Sequence, residues 1–221
     1  MYRSANPQRA ARHEIWPEAP VDGWLETCAT IHRWSQIVGK IRLAKAPMLN
    51  HWWQATLYVT SRGLTTSLIP YGSRAFQIEF DFVDHRLLVT TTDGRAEHLP
   101  LSSRPTSEFY AQLFDCLAAV AIEVPIWPVP VEVPDPVPFP EDRGHSVYRP
   151  EIAERLWEML VIAEGELESF RSGFIGKSSP VHLFWGSFDL ALTRFSGPQG
   201  AHASRRHTEP VRPGHTRGLF P

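Results

Sequence analysis

The residues most able to do chemistry in this chain are polar groups set in aromatic surroundings. His51 stands beside Trp52 and Trp53, and Arg62 follows Leu57, Tyr58 and Val59. Glu132 lies in a proline-rich run, while Lys177, His182, Asp189 and Arg194 are spread through a stretch containing Phe184, Trp185, Phe188 and Phe195. An unpaired charge among such neighbours is costly, so each group must be solvated, paired or put to use. Mutual pairing, such as Asp189 with Arg194 or Arg62, is the ordinary outcome. The alternative is a pocket walled by Trp52, Trp53, Tyr58, Trp127 and Trp185. There Arg62, Lys177 and Arg194 would hold an anionic or polyhydroxyl ligand against Trp53 and Trp185, and His51, His182 and Asp189 would be the candidate catalytic groups.

Three more specific chemistries fail on spacing. Gly173-Phe174-Ile175-Gly176-Lys177-Ser178 has two residues between its first glycine and the Gly-Lys pair, where a phosphate-binding loop needs four. No His-Glu-x-x-His or paired-cysteine spacing offers a metal site, so no metal is expected. Gly186-Ser187-Phe188-Asp189 lacks the Gly-x-Ser-x-Gly elbow of a serine nucleophile. The sequence names no cofactor.

The elements that must position these residues follow from periodicity. From Trp24 to about Ala46, apolar residues recur at three- and four-residue steps, which predicts a helix with Asp22 as its cap and Pro47 as its stop. Residues 53–60, 64–69, 76–82, 86–92 and 95–99 read as short strands of an antiparallel meander. In the third of these, Phe76, Ile78, Phe80 and Phe82 share one face, and Gln77, Glu79 and Asp81 the other. A second helix is expected over 107–121, capped by Thr106 or Ser107, and a third from Glu151 to about Arg171, opened by Pro150. Between them, seven prolines in the sixteen residues 125–140 forbid a helix and leave an extended crossover arm. Residues 181–195 read as two strands turning near Gly186-Ser187. The fold class is therefore α+β: a mainly antiparallel sheet packed with two or three long helices, plus the arm.

Composition bounds the rest. The 221 residues suit one substantial domain, with an excess of Pro, Trp and Phe and a formal net charge of −2. No basic block interrupts residues 20–195, so neither nucleic acid nor an anionic membrane is expected as a partner. Cys28 and Cys116 read as free thiols of a reducing compartment. With no signal-peptide core or long apolar span, the chain is expected in the cytoplasm. Residues 1–20 are expected to be a flexible lead-in, 21–197 a single domain, and 198–221 a disordered tail with four arginines against Glu209 alone. Oligomeric state is not legible in the sequence.

Three long motifs carry a resemblance. The first joins Asn50-His51-Trp52-Trp53 to Leu57-Tyr58-Val59 and Arg62-Gly63-Leu64-Thr65-Thr66. The second is the arm from Trp127 to Pro136. The third runs from Phe174-Ile175-Gly176-Lys177 through Ser179-Pro180-Val181-His182 and Phe184-Trp185-Gly186-Ser187-Phe188-Asp189-Leu190 to Thr193-Arg194-Phe195-Ser196-Gly197. Over about residues 24–197 the chain resembles an uncharacterised bacterial family, domain of unknown function 5996. The resemblance implies no activity. Relatives continue into a further region, from whose pattern the Arg/Pro/His tail departs. Function thus stays open between a small-molecule enzyme or ligand-binding domain and a protein-interaction domain using the proline arm and exposed aromatics.

Overall fold

The computed structural model describes Pro17 and residues 22–196. The expected lead-in and tail lie outside the described residues, apart from Pro17.

Helix α1 spans Trp24–Lys45 and is the centre of the molecule. Ile31, Trp34, Ile37, Val38 and Ile41 are fully buried, and so are Thr30, Ser35 and Gln36, because protein covers the middle of the helix on nearly every side. Its cap is not Asp22. Gly23 takes that place with φ 76°, where a Cβ would meet the Arg149 guanidinium at 2.6 Å. Glycine alone fits both the left-handed backbone and the close side chain.

After Pro47 the chain enters a 3₁₀ segment, Asn50–Ala55, so the expected first strand begins only at Thr56 and Trp53 lies outside it. The strands are β1 (Thr56–Val59), β2 (Gly63–Thr65), β3 (Ile69–Tyr71), β4 (Arg74–Asp81), β5 (Arg86–Thr91), β6 (Ala96–Pro100), β7 (His182–Phe184) and β8 (Asp189–Ala191). All pairings are antiparallel, in the order β6-β5-β4-β2-β1-β7-β8. The expected strand over 64–69 is broken in two at Ser67, whose φ is 56°. β2 and β3 consequently occupy opposite ends of the same edge of β4. In the gap, Thr66 Oγ1 accepts the Ile78 N–H in place of a backbone oxygen. Counting β2 and β3 as one interrupted strand, β1 to β6 form the expected meander, and the β7–β8 hairpin extends it beyond β1.

On β4, Phe76, Ile78, Phe80 and Phe82 are fully buried, as their alternation demands. Asp81, expected on the polar face, is also fully buried, where Arg62 reaches it at 2.9 Å and Arg86 at 3.4 Å. Helix α2 (Thr106–Ala119) packs on α1 and β6; Trp34 stacks on its Phe109 at 4.4 Å and on Tyr148 at 5.6 Å. Neither expected side-chain cap operates, since Thr106 Oγ1 donates instead to the carbonyl of His145. Helix α3 (Pro150–Ser172) begins at its proline and packs on α1 and β1. Pairing between β7 and β1 returns the end of the described chain to the start of the sheet, which brings the first and third motifs together.

Candidate functional site

An open groove of about 490 Å³ lies where the 3₁₀ segment, the proline arm and the β7–β8 turn meet. Leu43, Ala55, Val131, Phe184 and Trp185 supply its apolar walls, with Trp52 more than half exposed at its lip. The polar lining consists of His51, Glu132, Ser187 and Asp189.

The polar stripe of α1 holds this groove open. His32, Gln36 and Lys40 recur every four residues and so share one face of the helix. Gln36 Oε1 accepts the Val131 N–H at 2.8 Å, while its amide nitrogen donates to Val131 O at 2.8 Å and Gly186 O at 3.2 Å. His32 Nε2 lies 2.8 Å from Gly186 O and 3.1 Å from Trp185 O. Two carbonyls require a donor, so Nε2 carries the proton. The 3.0 Å approach of Gln36 Nε2 to that nitrogen is then two donors converging on one carbonyl. The arm and the turn are thus tied to the same helix face, one on each side of the groove.

Glycine is required where the walls touch. A Cβ on Gly186 would sit 2.6 Å from Glu132 Oε1. The Glu132 carboxylate can lie against the turn only because Gly186 has no side chain. On α1, a Cβ at Gly39 would sit 2.1 Å from the Trp185 ring, so the indole packs directly on helix backbone.

Unfavourable backbone conformations gather here. His51, Trp52 and Glu132 have φ of 60°, 59° and 57°, and Phe188, between Ser187 and Asp189, has 60°. Non-glycine residues in this region cost on the order of 1 kcal/mol or more each, and such strain concentrates at ligand sites.

The structure brings some of the sequence-selected residues together and separates others. His51, Trp185 and Asp189 line the groove. Lys177 adjoins it, donating to His51 Nε2 at 3.3 Å, which leaves the His51 ring proton on Nδ1; its ammonium lies 4.8 Å over Phe195. Trp53 packs beside His51, with ring centroids 5.2 Å apart. The Ser187 hydroxyl donates to Asp189 Oδ1.

His182 is 1% exposed on β7 and is not part of the lining. Its Nδ1–H donates to Pro180 O at 2.7 Å, and Nε2 is buried without a partner. Burial pushes its pKa below the ordinary histidine value, and Arg42 adds to that, while the Pro180 hydrogen bond and Asp189 oppose it. Arg194 lies 3.3 Å over Phe170 and 5.1 Å over Phe174. Arg62, beyond the opposite end of β1, is engaged with Asp81 and Asp84. The expected pairing of Asp189 with either arginine does not occur.

Sequence reasoning passed over His32, Gln36 and Leu43. The available signal was a polar residue every fourth position along α1, His32, Gln36 and Lys40. Among the described residues, no group of three or more His, Cys, Asp or Glu is placed to hold a metal ion, and no helix is long and apolar enough to cross a membrane.

Fold and site together define an α+β domain with one antiparallel eight-stranded sheet and an aromatic, acidic groove beside its β7–β8 turn. The chain belongs to the family of unknown function DUF5996, which it matches over residues 16–212. That span is wider than the 24–197 delimited by the motifs and runs into the segment set apart by its composition. No curated protein and no solved structure matches the chain.

Proposed function

We propose that the groove binds a small polyhydroxyl molecule of the sugar or polyol type. The observation that carries this reading is the lining itself. Two carboxylates, a hydroxyl and an imidazole from three separate chain segments share one groove with an exposed indole. Carboxylates accept from ligand hydroxyls, and the aliphatic face of a sugar ring packs on Trp52. Of the two ligand classes the sequence suggests, the anionic one loses support, because no Arg or Lys lines the groove. Free Cys28 and Cys116 suit a reducing compartment, and the bacterial cytoplasm is the location we propose.

The test is a titration of the protein with a panel of monosaccharides, disaccharides and polyols, followed by tryptophan fluorescence. Saturable quenching is expected with at least one of them, and Trp52→Ala should abolish it while keeping the fold. A flat response to the whole panel would remove the reading.

Trp127 favours a second reading, a protein-interaction surface. It is 71% exposed on the proline arm, which also carries the exposed Val131 and Val137, although Phe139 is fully buried. Cross-linking from position 127 in cells should then capture one defined protein, and a Trp127→Ser chain should lose it.

A further inference from the structure

We infer that Glu132 makes the groove selective for a polyhydroxyl ligand that also carries a cationic amine. This rests on the polyhydroxyl reading and adds the charge of the ligand to it.

The lining holds two carboxylates and no Lys or Arg. Nearby cations are engaged elsewhere. The Lys177 ammonium is on His51 and Phe195, and that of Lys40 lies 5.7 Å over the Trp185 ring, outside the lining. Arg194 sits on Phe170 and Phe174, and Arg62 on Asp81 and Asp84.

The two carboxylates differ. Asp189 receives the Ser187 hydroxyl, so a protein donor already meets part of its charge. Glu132 is exposed and receives no hydrogen bond or ion pair from the described residues, and its carboxylate lies against Gly186 in the groove lining. A ligand that fills the groove takes water from Glu132. A neutral ligand leaves that charge desolvated and only partly met, whereas an ammonium compensates it. Trp52, more than half exposed in the same lining, offers an indole ring to a cation as well.

Glucose and glucosamine, which differ by a hydroxyl against an amine, are the probes. Each is titrated at about pH 6.5, where the amine is protonated, against the wild-type chain and Glu132→Gln, with circular dichroism confirming that the variant is folded. Glucosamine should bind the wild type at least about tenfold more tightly than glucose, an advantage of about 1.4 kcal/mol. Added salt should shrink that advantage. In Glu132→Gln the ratio of the two affinities should fall to about one, any loss of hydroxyl contacts being common to both sugars. Equal affinities in the wild type, or a preference that survives in the folded variant, would overturn the inference and leave the polyhydroxyl reading standing. If neither sugar binds, this inference falls, and the response to the full panel decides the polyhydroxyl reading.

Discussion

The Gln36 side chain and the Val131 peptide exchange two hydrogen bonds, each 2.8 Å long, across 95 residues of sequence. A carboxamide here pairs with backbone as one strand pairs with another. The proline arm has few N–H groups to offer a sheet, and this clasp anchors it at the residue before Glu132.

Replacing Gln36 with Leu, which is close in size, removes both bonds to Val131 and one to Gly186. The lost partners of these groups should lower stability by about 2 kcal/mol. A urea titration would show this as a lower midpoint. An unchanged midpoint would mean that the arm is held by its apolar contacts alone.

Gly39→Ala should invert the usual helix rule. Alanine in a helix interior is worth up to about 1 kcal/mol over glycine. Here the new methyl would occupy the Trp185 ring position, with Cδ1 only 2.1 Å away. Overpacking of this kind typically costs about 1–3 kcal/mol, so net destabilisation is expected. Displacement of Trp185 should also shift tryptophan emission to the red.

Asp81 holds the turn regions after β1 and β4 together. Burial pushes its carboxyl pKa up, but the Asp84 and Val83 N–H groups and Arg62 outweigh that and hold it below the ordinary carboxylate value. Asp81→Asn keeps the shape and removes the charge. Because the arginine partners are partly exposed, a loss of about 2 kcal/mol is expected, below the range for fully buried pairs. Thermal unfolding would report it.

Two histidines should make stability depend on pH. Burial, the leading cause in both, lowers the pKa of His182 and of His32 below the ordinary value of about 6.5. Below that value the unfolded chain binds protons that the native chain does not. Stability is therefore complete above about pH 7 and falls as pH drops through 6.5 toward the native pKa values. Urea midpoints measured from about pH 7 to 5 should decline. The slope should be shallower in His182→Gln, and an identical slope would exclude His182 as a source.

Much of the fold is legible locally. Alternation places Phe76, Ile78, Phe80 and Phe82 on one covered face, and all four are fully buried. Pro150 opens α3 because the N–H it lacks is one that the first turn of a helix leaves without an intrahelical partner. Where expectation and structure part, a distant group is responsible. Gly23 replaces Asp22 as the cap of α1 where Arg149 crowds the backbone, and Asp81 is buried because Arg62 and Arg86 meet its charge.

The candidate site divides the same way. His51, Trp185 and Asp189 stand out in the sequence as polar and aromatic residues in unusual company. Only the pairing of β7 with β1 brings Lys177 to His51 across 126 residues, and only the clasp on Gln36 sets Glu132 against Gly186. Side-chain periodicity is fixed by covalent geometry and so is written in neighbouring residues. Which strands meet, and which side chain lies opposite a given glycine, is settled by packing the whole chain, and no local pattern encodes it.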